Sequence, residues 1–287
     1  MHYLSIDLED WFHILGNPTT KFPHQWIHFE DRLVINADRI LKILDKYQIK
    51  TTFFVLAWCA ERHPRLVKEI VDAGHTIGTH SYAHQLWQDI SLPDFRTDLM
   101  KSIDILSTIT GKPVIHHRAP GFSVNAKFVD YLSCLIEQGI QIDSSIFCTW
   151  KVNGGWKEIQ KTKPFIIKTD SGSLVEFPIV PYRKFGCSLP FSGGGYFRLW
   201  PRFLLQYFSK SAHYVNWYFH PRDFDAQQPL LKDLKSYRKL MSYVGLSRSE
   251  KKFENLLSNY SFENYPNDLA KINRINLEEL YLPSIVD

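Results

Sequence analysis

Over the first 145 residues, short apolar β-rich runs alternate with amphipathic helical stripes, and few folds accept that order. Tyr3 to Asp7, Thr51 to Leu56, Thr76 to Gly78, Val114 to His117 and Ile140 to Ser145 read as strands. Between them, Leu33 to Tyr47, Pro64 to Ala73, Pro93 to Thr110 and Asn125 to Gln138 read as helices, with stops at Gly74, Gly111 and Gly139. A crossover helix returns the chain to the same end of the sheet, so strands connected in this way pair in parallel. The fold class is therefore α/β. Asp7, His80, Arg118 and Asp143 fall at C-terminal strand ends, where parallel α/β barrels gather their chemistry.

The second half is less regular. Pro164 to Ile167 and Leu174 to Pro178 read as a β-hairpin around Asp170-Ser171-Gly172. Gly193 to Arg198 reads as a flexible loop; it lacks the Gly-Lys-Ser/Thr ending of a phosphate loop. Tyr214 to Phe219 is an apolar strand ending at His220-Pro221-Arg222-Asp223, and beyond Asp225 the pattern is polar and helical. The expected organisation is one catalytic domain over residues 1–225 and a helical extension over 226–287 packed on it.

Chemistry concentrates in Gly74 to His84. His80 and His84 are four residues apart, which in a helix or tight turn brings both imidazoles within reach of one metal ion. Two surface histidines in a loop are the plainer reading of so short a pattern. Its weight comes from its company: Asp7-Leu8-Glu9-Asp10 ends the first strand and His220 ends the last.

Other classes are disfavoured. The net charge of +4 is spread over scattered Lys and Arg, with no basic run of the kind that binds nucleic acid. Cys59, Cys134, Cys148 and Cys187 are far apart, without the spacing of a zinc ribbon or a disulfide scaffold. No apolar stretch reaches the roughly 18 residues of a membrane span. Met1 leads directly into a strand, so the expectation is a cytoplasmic chain, with peripheral association at the inner membrane surface left open.

In this order, Ile6-Asp7-Leu8-Glu9-Asp10-Trp11-Phe12, Thr52-Phe53-Phe54-Val55, Gly74 to His84, Arg118-Ala119-Pro120-Gly121 and Phe219-His220-Pro221 resemble the polysaccharide deacetylase family. These are metal-dependent N-deacetylases related to chitooligosaccharide deacetylase, and the resemblance spans roughly residues 3 to 225. Gly193 to Arg198 also looks like the subgroup linked to bacterial exopolysaccharide and surface-glycan synthesis. The resemblance implies a distorted (β/α) barrel of about seven parallel strands, here with the extra hairpin and the helical tail. It also implies one divalent ion, expected to be Zn2+ with Co2+ or Ni2+ as alternatives, held by two histidines and a carboxylate. His80 and His84 match those histidines, and Asp7 matches the catalytic base. The carboxylate ligand is Glu9 or Asp10. Much of the family has two adjacent aspartates, whereas Leu8 follows Asp7 here; strand alternation would put Glu9 on Asp7's side if the strand continues.

Amide hydrolysis needs a nucleophile stronger than neutral water, which a divalent ion with an open position provides. Asp7 would take the water's proton, and Arg118 would keep Asp7 ionised and oriented. The resemblance places the oxyanion near Gly121, next to Pro120. His220 would protonate the leaving amine, its pKa raised by Asp143, or by Asp223 or Asp225. In plainer readings Arg118 is an ordinary salt-bridge residue, His220 caps a strand, and His116 and His117 are alternating strand residues. His13, His24, His28, His63, His75 and His213 have no assigned role. Trp11, Trp150, Tyr196 and Trp217 could line a sugar groove, although core packing suits any one of them. The expected reaction is removal of N-acetyl groups from amino sugars of a bacterial surface polysaccharide or its precursor. A non-catalytic glycan-binding barrel and a hydrolase of a non-sugar amide are the alternatives.

Overall fold

β1 (His2–Leu8) is buried on both faces, as a strand in the middle of a parallel α/β sheet must be. The computed structural model describes residues 1–267, 272 and 277–283. Within them β1 is flanked by β2 (Thr52–Val55) and β10 (Val215–Phe219). The sheet continues through β3 (Thr76–Thr79), β4 (His116–His117), β5 (Ile142–Asp143) and β7 (Gly172–Glu176). The order β10-β1-β2-β3-β4-β5-β7 is parallel throughout, giving the seven-stranded core of a distorted barrel. β6 (Phe165–Thr169) pairs antiparallel with β7 as the expected hairpin, so one arm of the hairpin is also a barrel strand.

Helices cover the outside. Leu33–Lys46 turns Leu33, Ala37, Ile40, Ile43 and Leu44 inward, and Leu92–Thr110 buries Phe95, Leu99 and Leu106. The long helix starts on a Ser91 side chain that accepts from Asp94 N and stops at Gly111 in the left-handed region, as an N-cap serine and a C-terminal glycine dictate. A further short helix, Ala57–Arg62, leads from β2 towards the helix Pro64–Asp72.

β7 and β10, at the two ends of the parallel run, share no backbone ladder among the described residues. Side chains bridge this seam. Asn216 Nδ2 donates to Phe177 O at 2.8 Å and to Ser144 Oγ at 3.1 Å, and its Oδ1 accepts from Tyr265 OH at 2.6 Å. Tyr214 OH donates to Pro178 O at 3.0 Å. The barrel is therefore closed on this side by amide and phenol groups instead of a strand ladder.

Three stretches depart from the sequence expectation. Gly193 to Arg198 is not a flexible loop: Gly194–Leu199 is a short helix packed against β10. A Cβ on Gly193 would lie 2.4 Å from the Tyr218 ring and one on Gly195 would lie 2.3 Å from Met241 O, so the glycines serve close approach. An unanticipated ribbon forms from β8 (Tyr182–Lys184) and β9 (Cys187–Leu189). The C-terminal extension has the helices Ser236–Tyr243 and Ser249–Asn259 but also β11 (Glu278–Tyr281), a strand that pairs parallel with β6. Helical character expected for 268–271, 273–276 and 284–287 lies outside the described residues. No helix among the described residues is long and apolar enough to cross a membrane.

Replacing Asn216 by Ala leaves the buried Phe177 carbonyl and Tyr265 hydroxyl each short of a partner. We expect a loss of about 2–3 kcal/mol, read as a lower midpoint in urea unfolding. An unchanged midpoint would mean that the seam contributes nothing to closure.

Candidate active site

The C-terminal ends of β1, β3, β4 and β10 converge on a cleft of about 190 Å³ whose wall includes Asp7, Glu9, His80, His84, Gly121 and His220. Asp7 projects from β1 and is 2% exposed. Its Oδ1 accepts from Arg118 Nη1 at 2.6 Å. Arg118 follows β4 and is fully buried, and acceptors surround it: Ser5 Oγ, Ser144 O, Ser144 Oγ and Tyr265 OH at 2.8 to 3.2 Å. The guanidinium also lies 4.2 Å from the centre of the Phe54 ring. Burial lowers its pKa, but the Asp7 carboxylate more than offsets this and holds it above the ordinary arginine value.

Beyond β1 the chain turns, with Glu9 N donating to Asp7 O, and Glu9 enters the same cleft. Asp10 faces elsewhere. Its Oδ1 accepts from Trp11 N at 2.7 Å and its Oδ2 from Arg32 N at 2.8 Å, so both oxygens are occupied by backbone donors. Burial pushes the Asp10 carboxyl up to about 7. Of the two candidate carboxylates, only Glu9 shares a cluster with the histidines.

His80 ends β3, its backbone N–H continuing the ladder to Val55 O. Its Nδ1 lies 2.8 Å from Arg118 O; a carbonyl can only accept, so Nδ1 carries the proton and Nε2 keeps its lone pair. The following turn forces Ser81 and His84 into positive φ. Asp98 holds that turn by accepting from Tyr82 N and Ala83 N at 2.8 Å, and Ser81 Oγ accepts from His84 N at 3.0 Å. The backbone shape of 80–84 is thus set by a carboxylate on the helix Leu92–Thr110.

One ligand atom each from Glu9, His80 and His84 lies within 4.8 Å of the others, and all three residues are buried. His84 Nε2 approaches Glu9 Oε2 to 2.8 Å, yet the approach is not aligned as a hydrogen bond and Oε2 has no donor. Burial lowers the His80 pKa to about 4, leaving the ring neutral. Burial opposes ionisation of Glu9, but the neighbouring His84, His220 and His80 outweigh it and hold the carboxyl well below the usual range. An ionised carboxylate beside imidazole nitrogens is a donor set that suits a divalent ion such as zinc.

His220 ends β10. Its Nδ1 and backbone N–H donate to Asp223 Oδ2 at 3.1 and 2.9 Å, while its Nε2 faces Glu9 Oε1 at 3.5 Å and Asp7 Oδ2 at 3.7 Å. Asp223 is therefore its acidic partner. Asp143 is not: its Oδ1 accepts from His117 Nδ1 at 2.8 Å and Ser145 Oγ at 2.6 Å inside the barrel. Asp225 accepts from Arg32 Nε at 2.6 Å and Asn36 Nδ2 at 3.0 Å. The expected rise in the His220 pKa is also absent. Burial lowers it, with Glu9 and Asp7 opposing and Arg222 and Arg198 reinforcing.

Pro120 is buried, and Gly121 adopts φ +63° where a Cβ would meet Leu15 Cδ1 at 2.7 Å and Leu86 Cδ2 at 2.8 Å. Of the aromatic candidates, Trp11 and Trp217 are core residues, Trp150 is 71% exposed, and only Tyr196 lines the cleft. His116 is buried, bonded to Pro266 O. The sequence reading missed His13, Lys151 and Arg238, which also line the cleft. His13 is buried with Nε2 unpartnered and accepts from Asp10 N at Nδ1; only its place after the Asp7–Asp10 cluster could have flagged it.

The family model described as polysaccharide deacetylase matches residues 17–135, and a domain of unknown function, DUF3473, matches residues 144–269. The chain is similar to a peptidoglycan deacetylase of Helicobacter pylori, 29% identical over 159 residues, covering 50% of this chain and 52% of the relative. It is also similar to a peptidoglycan-N-acetylglucosamine deacetylase of Bacillus cereus, 38% identical over 73 residues, covering 24% of this chain and 26% of the relative. The matches thus span about a quarter to a half of these curated relatives. Among solved structures, one named as a polysaccharide deacetylase from Mycobacterium smegmatis superposes with a TM-score of 0.62 at 19% identity, covering 99% of this chain and 94% of that one. The segment carrying His80, His84 and Arg118 thus belongs to the polysaccharide deacetylase family, and the chain as a whole shares the fold of the Mycobacterium smegmatis structure.

Proposed function

We propose that the chain is a metal-dependent hydrolase that removes N-acetyl groups from the amino sugars of a bacterial surface glycan or its precursor. The observation that carries this reading is the convergence of Glu9, His80 and His84 beside the Asp7–Arg118 pair and His220 in one cleft. Glu9, His80 and His84 would hold one divalent ion, most simply Zn2+. When bound, such an ion makes water more acidic and polarises the acetamide carbonyl.

The chain's own residues supply the rest. With Oδ1 fixed by Arg118, Asp7 presents Oδ2 to the cleft and takes the proton of the attacking water. Water adds to the carbonyl carbon, the C–N bond breaks, and His220 gives the proton that lets the amine depart and acetate form. Asp223 fixes the His220 ring through Nδ1, which leaves Nε2 facing the reaction. The 3.7 Å between Asp7 Oδ2 and His220 Nε2 is too long for a hydrogen bond, so neither group is tied up by the other. Gly121 is our candidate for the backbone donor to the oxyanion.

Metal analysis and acetate release on N-acetylhexosamine oligomers and sugar nucleotides test the reading. Wild type should hold on the order of one ion per chain. His80→Ala should lose the ion and the activity together. His220→Ala should keep the ion while kcat falls about 10²–10⁴-fold. A wild-type chain that takes up no supplied metal would remove the mechanism, and metal without acetate release would point to another amide.

The Asp7–Arg118 pair makes a separate prediction. Arg118→Met leaves a buried carboxylate unpaired and should cost about 3–5 kcal/mol in denaturant unfolding. Adding Asp7→Asn to that variant should recover much of the loss. Additive losses in the double variant would show that the two side chains are not coupled.

A further inference from the structure

We infer that the glycan carries an anionic group, carboxylate or phosphate, near the sugar that is deacetylated, and that Lys151 and Arg238 recognise it. This rests on the reading that the cleft binds a glycan, and it adds a charge requirement that the hydrolytic residues do not impose.

Lys151 sits in a tight turn held by Lys151 N to Gly154 O at 3.0 Å and Gly154 N to Lys151 O at 3.3 Å. Its Nζ lies 4.4 Å from the centres of both the Phe122 and Phe147 rings and 5.8 Å from that of Tyr218. Those rings attract the ammonium without neutralising it. Among the described residues Nζ has neither a hydrogen-bond acceptor nor a carboxylate partner. Arg238 comes from a separate element, the helix Ser236–Tyr243. Its Nη2 donates to Asn153 Oδ1, a neutral group, and its guanidinium lies over Gly16. It too has no carboxylate partner among the described residues.

The carboxylates in the cleft are engaged elsewhere. Asp7 pairs with Arg118, Glu9 lies against His84, and Asp223 pairs with Arg198 and His220. The wall around the 151–153 turn is therefore cationic, and among the described residues the carboxylate whose field reaches Lys151, Asp7, is already paired with Arg118; a divalent ion at Glu9, His80 and His84 would deepen the imbalance. Burial and the nearby Arg238 lower the Lys151 pKa to about 7 against the opposing field of Asp7, and an anion seated between the two cations would raise it again. A neutral sugar would further desolvate both cations and leave them unpaired, whereas an anionic substituent would satisfy both.

Equilibrium binding to the full chain tests this with three probes: neutral chitotetraose, a hyaluronan tetrasaccharide with glucuronate carboxylates, and UDP-N-acetylglucosamine with phosphates. One anionic probe should bind at least ~10-fold tighter than chitotetraose, and which one does so separates carboxylate from phosphate. Lys151→Met and Arg238→Gln should each collapse that ratio towards one, and Lys151→Arg should retain most of it. Equal affinity for neutral and anionic probes, no binding of any probe, or an unchanged ratio in both variants would overturn the inference. Acetate release followed in parallel keeps the two readings apart. Charge-selective binding without acetate release leaves this inference and removes the deacetylase; acetate release without charge preference does the reverse.

Discussion

The buried ion pair between Arg118 and Asp7 ties the cleft end of this molecule to its scaffold. A guanidinium with no solvent exposure is tolerated only if its donors find acceptors, and Arg118 finds them on β1, on the segment after β5 and on Tyr265. Tyr265 also donates to Asn216, which spans the seam between β10 and β7. The proposed base is thus oriented by the same polar network that closes the barrel. A seam built of side chains is costly to disturb, because each buried group has a specific partner that water cannot replace. The β1–β10 ladder, which pairs Ile6 with Phe219, brings Asp7 and His220 side by side in fixed register.

Much of this was legible. Strand–helix alternation gave the parallel core, and the tendency of parallel barrels to collect polar groups at C-terminal strand ends picked out Asp7, His80 and Arg118. That tendency gives a position along a strand and not a direction across it. Asp143 sits at such an end, yet its side chain meets His117 and Ser145 in the interior, out of reach of His220. The choice between Glu9 and Asp10 failed to resolve for the same reason. It depended on the turn after Leu8, which sends Glu9 into the cleft and Asp10 towards the backbone N–H groups of Trp11 and Arg32. Gly193 to Gly195 shows a different gap: from sequence, glycine marks conformational freedom and close approach alike, and here Tyr218 and Met241 decide for close approach. Lys151 and Arg238 had no local signature, since their meaning depends on which carboxylates fail to come near them.

The two matched segments divide the site unevenly. Residues 17–135 contain His80, His84, Arg118 and Gly121, most of what the proposed hydrolysis needs, while Asp7 and Glu9 precede both segments. Residues 144–269, matched to a domain of unknown function, contain β7 and β10, the seam residues Asn216 and Tyr265, the proposed acid His220, and the cleft residues Lys151 and Arg238. In this chain that segment is the far side of the barrel and of the cleft. A hydrolytic core needs only a few groups held to tenths of an ångström, and those lie on strands and the turns that leave them. Groups that select among glycans can sit farther out, on turns such as 151–155 and on added helices such as Ser236–Tyr243, where substitution leaves the strand register untouched. In this chain, Lys151 and Arg238 on the segment 144–269 are where a preference among glycans would be expressed.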